Sequence, residues 1–209
     1  METIQQIRCG SANCFLIRND TAGILVDTGR ERYRDAVLNA CIGTPIRLIV
    51  LTHGHVDHVQ NAAFLSKELH TPIAMHRDDI PLLEDNWQQP LSSSGFLGGL
   101  MLSATKRSFR CDNIPPFSPN VLLDHGDSLS FYGFDVRVVA LPGHTRGSIG
   151  LTVGETSMIV GDAMMNLFRP RPSLLYHNRV MLLRSIRKIN ALAPQTIYFG
   201  HGRPAQMKK

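Results

Sequence analysis

Thr52-His53-Gly54-His55-Val56-Asp57-His58 packs three imidazoles and a carboxylate into positions 53 to 58. That density of nitrogen and oxygen donors is metal-ligand chemistry. The apolar, β-branched run Ile46 to Leu51 precedes it and reads as a buried strand. After it, Val59, Ala62, Leu65 and Leu69 fall on one face of a helix expected from Asp57 to Leu69. The cluster therefore occupies a strand-to-helix loop. On such a loop His53 and His55 can point one way, and Asp57 and His58, in the first helical turn, another, which suits two adjacent metals. Imidazole with carboxylate favours zinc, and iron or manganese accept the same set.

Three more apolar runs end in a glycine followed by a candidate ligand. Val136 to Leu141 leads into Pro142-Gly143-His144, Met158 to Val160 into Gly161-Asp162, and Thr196 to Phe199 into Gly200-His201. Each reads as a strand that delivers one ligand to the edge of a sheet, where a neighbouring glycine lets backbone crowd close. A single histidine or Gly-Asp turn at a strand end is usually structural. Four such events in one short chain point to a shared rim site.

The set His53, His55, Asp57, His58, His144, Asp162 and His201 resembles the metallo-β-lactamase superfamily of metal-dependent hydrolases. The likeness runs from Ile24-Leu25-Val26-Asp27-Thr28-Gly29 to Gly200-His201-Gly202. It looks closest to the glyoxalase II-like branch, which keeps Asp where many antibiotic-degrading members carry Cys. The resemblance implies an α/β fold, a four-layer αββα sandwich with a dinuclear site on its edge. It assigns His53, His55 and His144 to one metal and Asp57, His58 and His201 to the other, with Asp162 bridging. Asp27 would stand behind the ligands and organise their loops; from the residues alone, an Asx turn closing a strand serves as well. The implied cofactors are two divalent ions, most simply zinc, with iron or manganese as alternatives. The implied reaction is attack by a metal-bridging hydroxide on a small thioester, lactone or related ester, with Asp57 and Asp162 as the catalytic carboxylates.

Departures from the family narrow the substrate. Glyoxalase II enzymes hold glutathione largely with a C-terminal helical domain, whereas this chain ends at Lys209, soon after His201. A dedicated S-lactoylglutathione hydrolase is not expected. Flavodiiron members carry Glu in place of His55, and nuclease members bring a large insertion or basic arm that is not seen. Two other classes stay open: a single-iron persulfide dioxygenase, and a metal-binding sensor or partner protein without turnover.

Bulk properties agree with one metallo-hydrolase domain over 1–209. The 209 residues are 43% hydrophobic, enough for one well-buried core. Lys and Arg number 22 against 17 Asp and Glu, a net charge of +5 that is scattered rather than blocked. The expected partner is a small-molecule substrate, with no nucleic acid and no membrane. Cys9, Cys14, Cys41 and Cys111 form no CxxC pair. With no apolar stretch near Met1 to Cys9, reduced thiols and a cytoplasmic location are expected.

Elsewhere, Cys14 to Arg18 and Ile24 to Val26 read as a hairpin turning at Asn19-Asp20, followed by a helix from Glu31 to Cys41. Pro72 to Met75 reads as a strand ending at His76, which the ligand set does not require. Val121 to Leu123, Leu129 to Phe131 and Val136 to Leu141 read as a meander. Between them, positions 77–120 form an insertion whose stretch from Ser92 to Leu102 is apolar yet broken by glycines. It reads either as a substrate flap, its wall made by Phe96, Leu97, Leu100 and Met101, or as a packed helical pair or homodimer contact. After Asp162, Arg169 and Arg171 are candidates to hold a substrate anion, or are simply solvated.

Overall fold

The computed structural model describes residues 2–207. A six-stranded sheet takes strands in chain order: β1 (Thr3–Cys9), β2 (Ala12–Arg18), β3 (Gly23–Val26), β4 (Ile46–Val50), β5 (Ile73–Met75) and β6 (Val121–Leu122). A five-stranded sheet holds β7 (Val136–Ala140), β8 (Ile149–Val153), β9 (Ser157–Ile159), β10 (Thr196–Tyr198) and β11 (Ala205–Gln206), ordered β11-β10-β9-β8-β7. Six α-helices accompany them: α1 (Arg34–Cys41), α2 (Val56–Val59), α3 (Ala62–Leu69), α4 (Pro81–Glu84), α5 (Gly95–Cys111) and α6 (Arg179–Leu192).

Side-chain alternation sorts the strands into four layers. Phe15, Ile17, Ile24, Val26, Leu48 and Val50 face Val136, Val138, Ile149, Leu151 and Ile159 in the core between the sheets. The opposite face of the first sheet, through Leu16, Leu25, Ile49 and Met75, packs on Val37 and Cys41 of α1 and Ala62 and Leu65 of α3. The outer face of the second sheet, through Val139, Met158 and Ile197, takes Leu182 and Ile189 of α6. The layers are therefore αββα, and central strands buried on both faces read as unbroken apolar runs. Among the described residues, no helix is long and apolar enough to cross a membrane.

Strand direction builds the rim. β3, β4 and β5 run parallel, as do β9 and β10, while β7 and β9 both lie antiparallel to β8. Their C-terminal ends release Asp27, His53, His144, Asp162 and His201 into loops.

Two local readings need correction, and two further segments take up elements that the sequence left open. The helix expected from Asp57 to Leu69 is two helices, α2 and α3, because Asn61 turns its side-chain amide to the carbonyls of Thr28, Gly29 and Arg30 and breaks the run. Leu129 to Phe131 is no strand: residues 130–132 form a 3₁₀ turn, and β6 joins the first sheet beside β5. Thr3–Cys9 is the edge strand β1, paired along its length with β2. The glycine-broken stretch after Ser92 enters a 17-residue helix, α5.

Candidate metal centre

The seven sequence-selected ligands converge at the rim. His53, His55 and His144 form one compact donor group, His53, His58 and Asp162 a second, and Asp57, His58 and His201 a third. Asp162 lies at their junction. One of its oxygens is 3.6 Å from His58 Nε2, and the other is 3.1 Å from His201 Nε2 and 3.5 Å from His144 Nε2. Asp57 faces His201 Nε2 at 3.7 Å.

Four of the five imidazoles are held from behind so that the other nitrogen faces inward, and the fifth, His55, turns Nδ1 into the cluster, 3.0 Å from His144 Nε2. His58 Nδ1 is 2.8 Å from Asp27, His144 Nδ1 is 2.9 Å from the Leu175 carbonyl, and His201 Nδ1 is 2.7 Å from the Ser11 carbonyl. Thr52 Oγ1 lies 3.0 Å from His53 Nδ1. Fixing one ring nitrogen sets the tautomer and aim of the other. Asp27 also accepts from the Thr52 N–H and hydroxyl, at 2.8 and 2.9 Å, and it adopts a positive φ of 59°. That left-handed conformation, tolerated by Asp better than by most residues, curls the carboxylate back toward β4 and His58.

Whether these residues fit a metal is answered by what they leave unpaired. Among the described residues, six buried side-chain polar atoms lack a hydrogen-bond partner within the protein, and four belong to this cluster: His53 Nε2, His55 Nε2, His58 Nε2 and Asp162 Oδ1. An orphaned polar atom costs about 1–3 kcal/mol. Three of them, His53 Nε2, His58 Nε2 and Asp162 Oδ1, are explained by cations that accept their lone pairs, and His55 offers Nδ1 to the same group. The residues fit.

Charge is partitioned across the cluster. Burial drives His53 and His55 well below the usual imidazole range, with His58 adding to it for His53 and His144 for His55, so both are neutral donors. Burial would lower His58 too, but Asp27, Asp162 and Asp57 outweigh it and push the metal-free group up to about 10. His201 rises to about 9 when Asp162 and Asp57 similarly overcome burial. Burial would raise the carboxylates, yet His58 and His201 hold Asp57 below its ordinary value and Asp162 well below it.

A cavity of about 540 Å³ opens over the cluster. Its lining includes Leu97 and Met101 of α5. Phe96 and Leu100, expected in that wall, lie outside it, 86% and 55% exposed, because their positions on α5 turn them to solvent. Arg169 and Arg171 likewise do not line it; Arg8, Arg30 and Arg203 do. His76 stays out of the cluster, with Nδ1 accepting from the Asp78 N–H.

Asp79 has no distinguishing mark in the sequence and was missed. Fully buried, it accepts from Gly54 N–H at 3.0 Å, Thr145 Oγ1 at 2.6 Å, Gly147 N–H at 2.7 Å and Gln89 Nε2 at 3.0 Å. It thereby fastens the His53–His55 loop to the loop that follows His144. Asn86 adds a second clasp, accepting from Val56 N–H and donating to the Gly54 carbonyl.

The description of the metallo-β-lactamase superfamily matches residues 7–201. The "Probable metallo-hydrolase YqgX" of Bacillus subtilis is 26% identical over 200 residues, covering 91% of this chain and 85% of its own. The solved structure of TTHA1623 "in a di-iron-bound form" is 26% identical with a TM-score of 0.70, covering 98% of this chain and 94% of that one. The BLEG-1 B3 metallo-β-lactamase superimposes with a TM-score of 0.72 at 23% identity, over 98% and 94% of the two chains, a likeness of fold.

Proposed function

The chain belongs to the metallo-β-lactamase superfamily, and from that premise we propose that it is a hydrolase using two divalent ions, zinc foremost, to cleave a small thioester, lactone or related ester. The observation that carries the reading is the set of unpaired buried donors arranged around Asp162. His53, His55 and His144 would hold one ion, Asp57, His58 and His201 the other, and Asp162 both. Bound there, the ions supply Lewis acidity, lowering the pKa of a water to about 7 and polarising a carbonyl oxygen.

The remaining work falls to the chain's own side chains. Asp57, ionised beside His201, accepts the proton of the attacking water. Asp27 and the Ser11 carbonyl keep His58 and His201 from rotating. Leu97, Met101 and Leu175 wall off bulk water above the cluster. For a thioester, water oxygen bonds to the acyl carbon, the carbon–sulfur bond breaks, and a proton ends on the departing sulfur. Nothing is oxidised.

Elemental analysis of freshly purified protein tests this. Close to two transition-metal ions per chain are expected. His58→Ala should lose one of them, and Asp162→Ala should cut thioester or lactone hydrolysis by roughly two orders of magnitude or more with the fold intact. A single iron accompanied by oxygen uptake would transfer the protein to the dioxygenase class, and full metal with no turnover on a broad ester panel would make it a sensor.

A further inference from the structure

The cavity over the cluster is lined by side chains of two unlike kinds. Arg8, Arg30 and Arg203 are the basic ones, and they line it together with Asp57 and His201. Arg30 is engaged by Asp112. Arg8 and Arg203, by contrast, meet no carboxylate at ion-pair distance among the described residues. Their placement is built in. Arg8 sits opposite Asn13 in the β1–β2 ladder, and buried Asn13 donates through Nδ2 to the carbonyls of Phe199 and Gly202, at 2.9 and 2.8 Å. Gln6 Nε2 donates to the same Gly202 carbonyl at 3.2 Å. The start of the chain is thus tied to the loop carrying His201 and Arg203, and both arginines border the same opening.

The other kind is apolar. Leu97, Met101 and Ala104 recur at helical spacing along α5, and Leu91 and Leu175 complete the wall. This wall adjoins His55 and His144: the Phe109 ring of α5 lies 5.2 Å from the His55 ring, and the Leu175 carbonyl holds His144. Among the described residues, the only acidic side chains lining the cavity are Asp57 and Asp162, both committed to the cluster. A cationic substrate therefore finds no counter-charge of its own.

We infer that the site takes an ester or thioester with an anionic leaving group, seated by Arg8 and Arg203, and an apolar acyl arm lying along Leu91, Leu97, Met101 and Leu175. This rests on the hydrolase reading and fixes the direction in which the scissile bond lies across the cluster. Guanidinium groups receive carboxylate and phosphate alike, so the head group is defined as an anion of either kind. The carbon–sulfur bond breaks as above, leaving the apolar carboxylic acid at one end and the anionic thiol at the other.

Thioesters that differ at one end only test it on the metal-loaded protein. S-octanoyl thioglycolate and S-octanoyl 2-mercaptoethyl phosphate carry the anion; S-octanoyl 2-mercaptoethanol is neutral; S-acetyl thioglycolate lacks the arm. Either anionic ester should exceed the neutral one in kcat/KM by about tenfold, falling as salt rises, and the better of the two identifies the head group. The double variant Arg8→Gln/Arg203→Gln should bring that ratio toward one, and Leu97→Ser/Met101→Ser should collapse the preference for octanoyl over acetyl. A binding measurement stands apart from turnover: 2-(octylthio)acetate should bind tighter than 2-(octylthio)ethanol by calorimetry, and the arginine variant should erase the difference. Equal treatment of anionic and neutral compounds, or a ratio untouched by the arginine changes, overturns the inference. A metal-loaded protein that binds the anion through these arginines yet hydrolyses none of the esters would sink the hydrolase reading instead.

Discussion

Asp79 takes four hydrogen bonds from segments far apart in the sequence, and two of them come from main-chain N–H groups at Gly54 and Gly147. Asp79→Ala strands those donors in a buried place, so unfolding by denaturant should show a loss of about 3 kcal/mol, with weakened metal retention because the two ligand loops come apart. A stability change within experimental error would show that water replaces the carboxylate. Protonation is the second matter at this scale. His58 near 10 and His201 near 9 are both protonated at neutral pH in the metal-free protein. Metal uptake at pH 7 should therefore expel close to two protons per chain, read from how the calorimetric enthalpy varies with the buffer's ionisation heat. Both groups lie above the unfolded value of about 6.5, so their stabilisation of the metal-free fold is complete below that pH and is lost as pH rises through 9 and 10. The melting temperature of metal-free protein should decline across that window. A flat profile would mean that the two imidazoles are neutral.

Among the elements, α5 separates what could be read in advance from what could not. Gly95, Gly98 and Gly99 looked like interruptions, yet Gly95 adopts a φ of 67° at the first position of the helix and Gly98 is buried against the Leu174 carbonyl. One starts the helix and one lets it approach its neighbour, neither of which composition reveals. The helical phase then decides which apolar residues reach the cavity. Phe96→Ser/Leu100→Ser should leave KM for any hydrolysed ester unchanged within about twofold, since both side chains already stand in water. A several-fold rise in KM would return them to the cleft, and a halved particle mass in sedimentation would identify them as an association surface. The ligands were legible because coordination demands particular residue types beside strand ends, and those types are conspicuous. Asp79 and Arg203 were not, because their roles depend on partners that only the closed fold brings near. The break between α2 and α3 was hidden for the same reason, since Asn61 answers to carbonyls at positions 28 to 30.

For the molecule as a whole, stability and site are separable. Leu151 is fully buried between the sheets. Leu151→Ala should cost about 2–5 kcal/mol in denaturant unfolding while metal content at 25 °C stays that of the parent. Loss of metal from a variant that is still folded would show that the inter-sheet core sets rim geometry directly. The rim draws on both halves of the sandwich: His53, His55, Asp57 and His58 follow a strand of the first sheet, whereas His144, Asp162 and His201 follow strands of the second. Gly200 shows how tightly the halves meet, since a Cβ there would press on the His58 ring of the first half at 3.0 Å as well as collide with the Asp162 carboxylate of its own. During synthesis the first four donors leave the ribosome before His201 exists, so the complete ligand set comes together only once the second sheet has closed on the first.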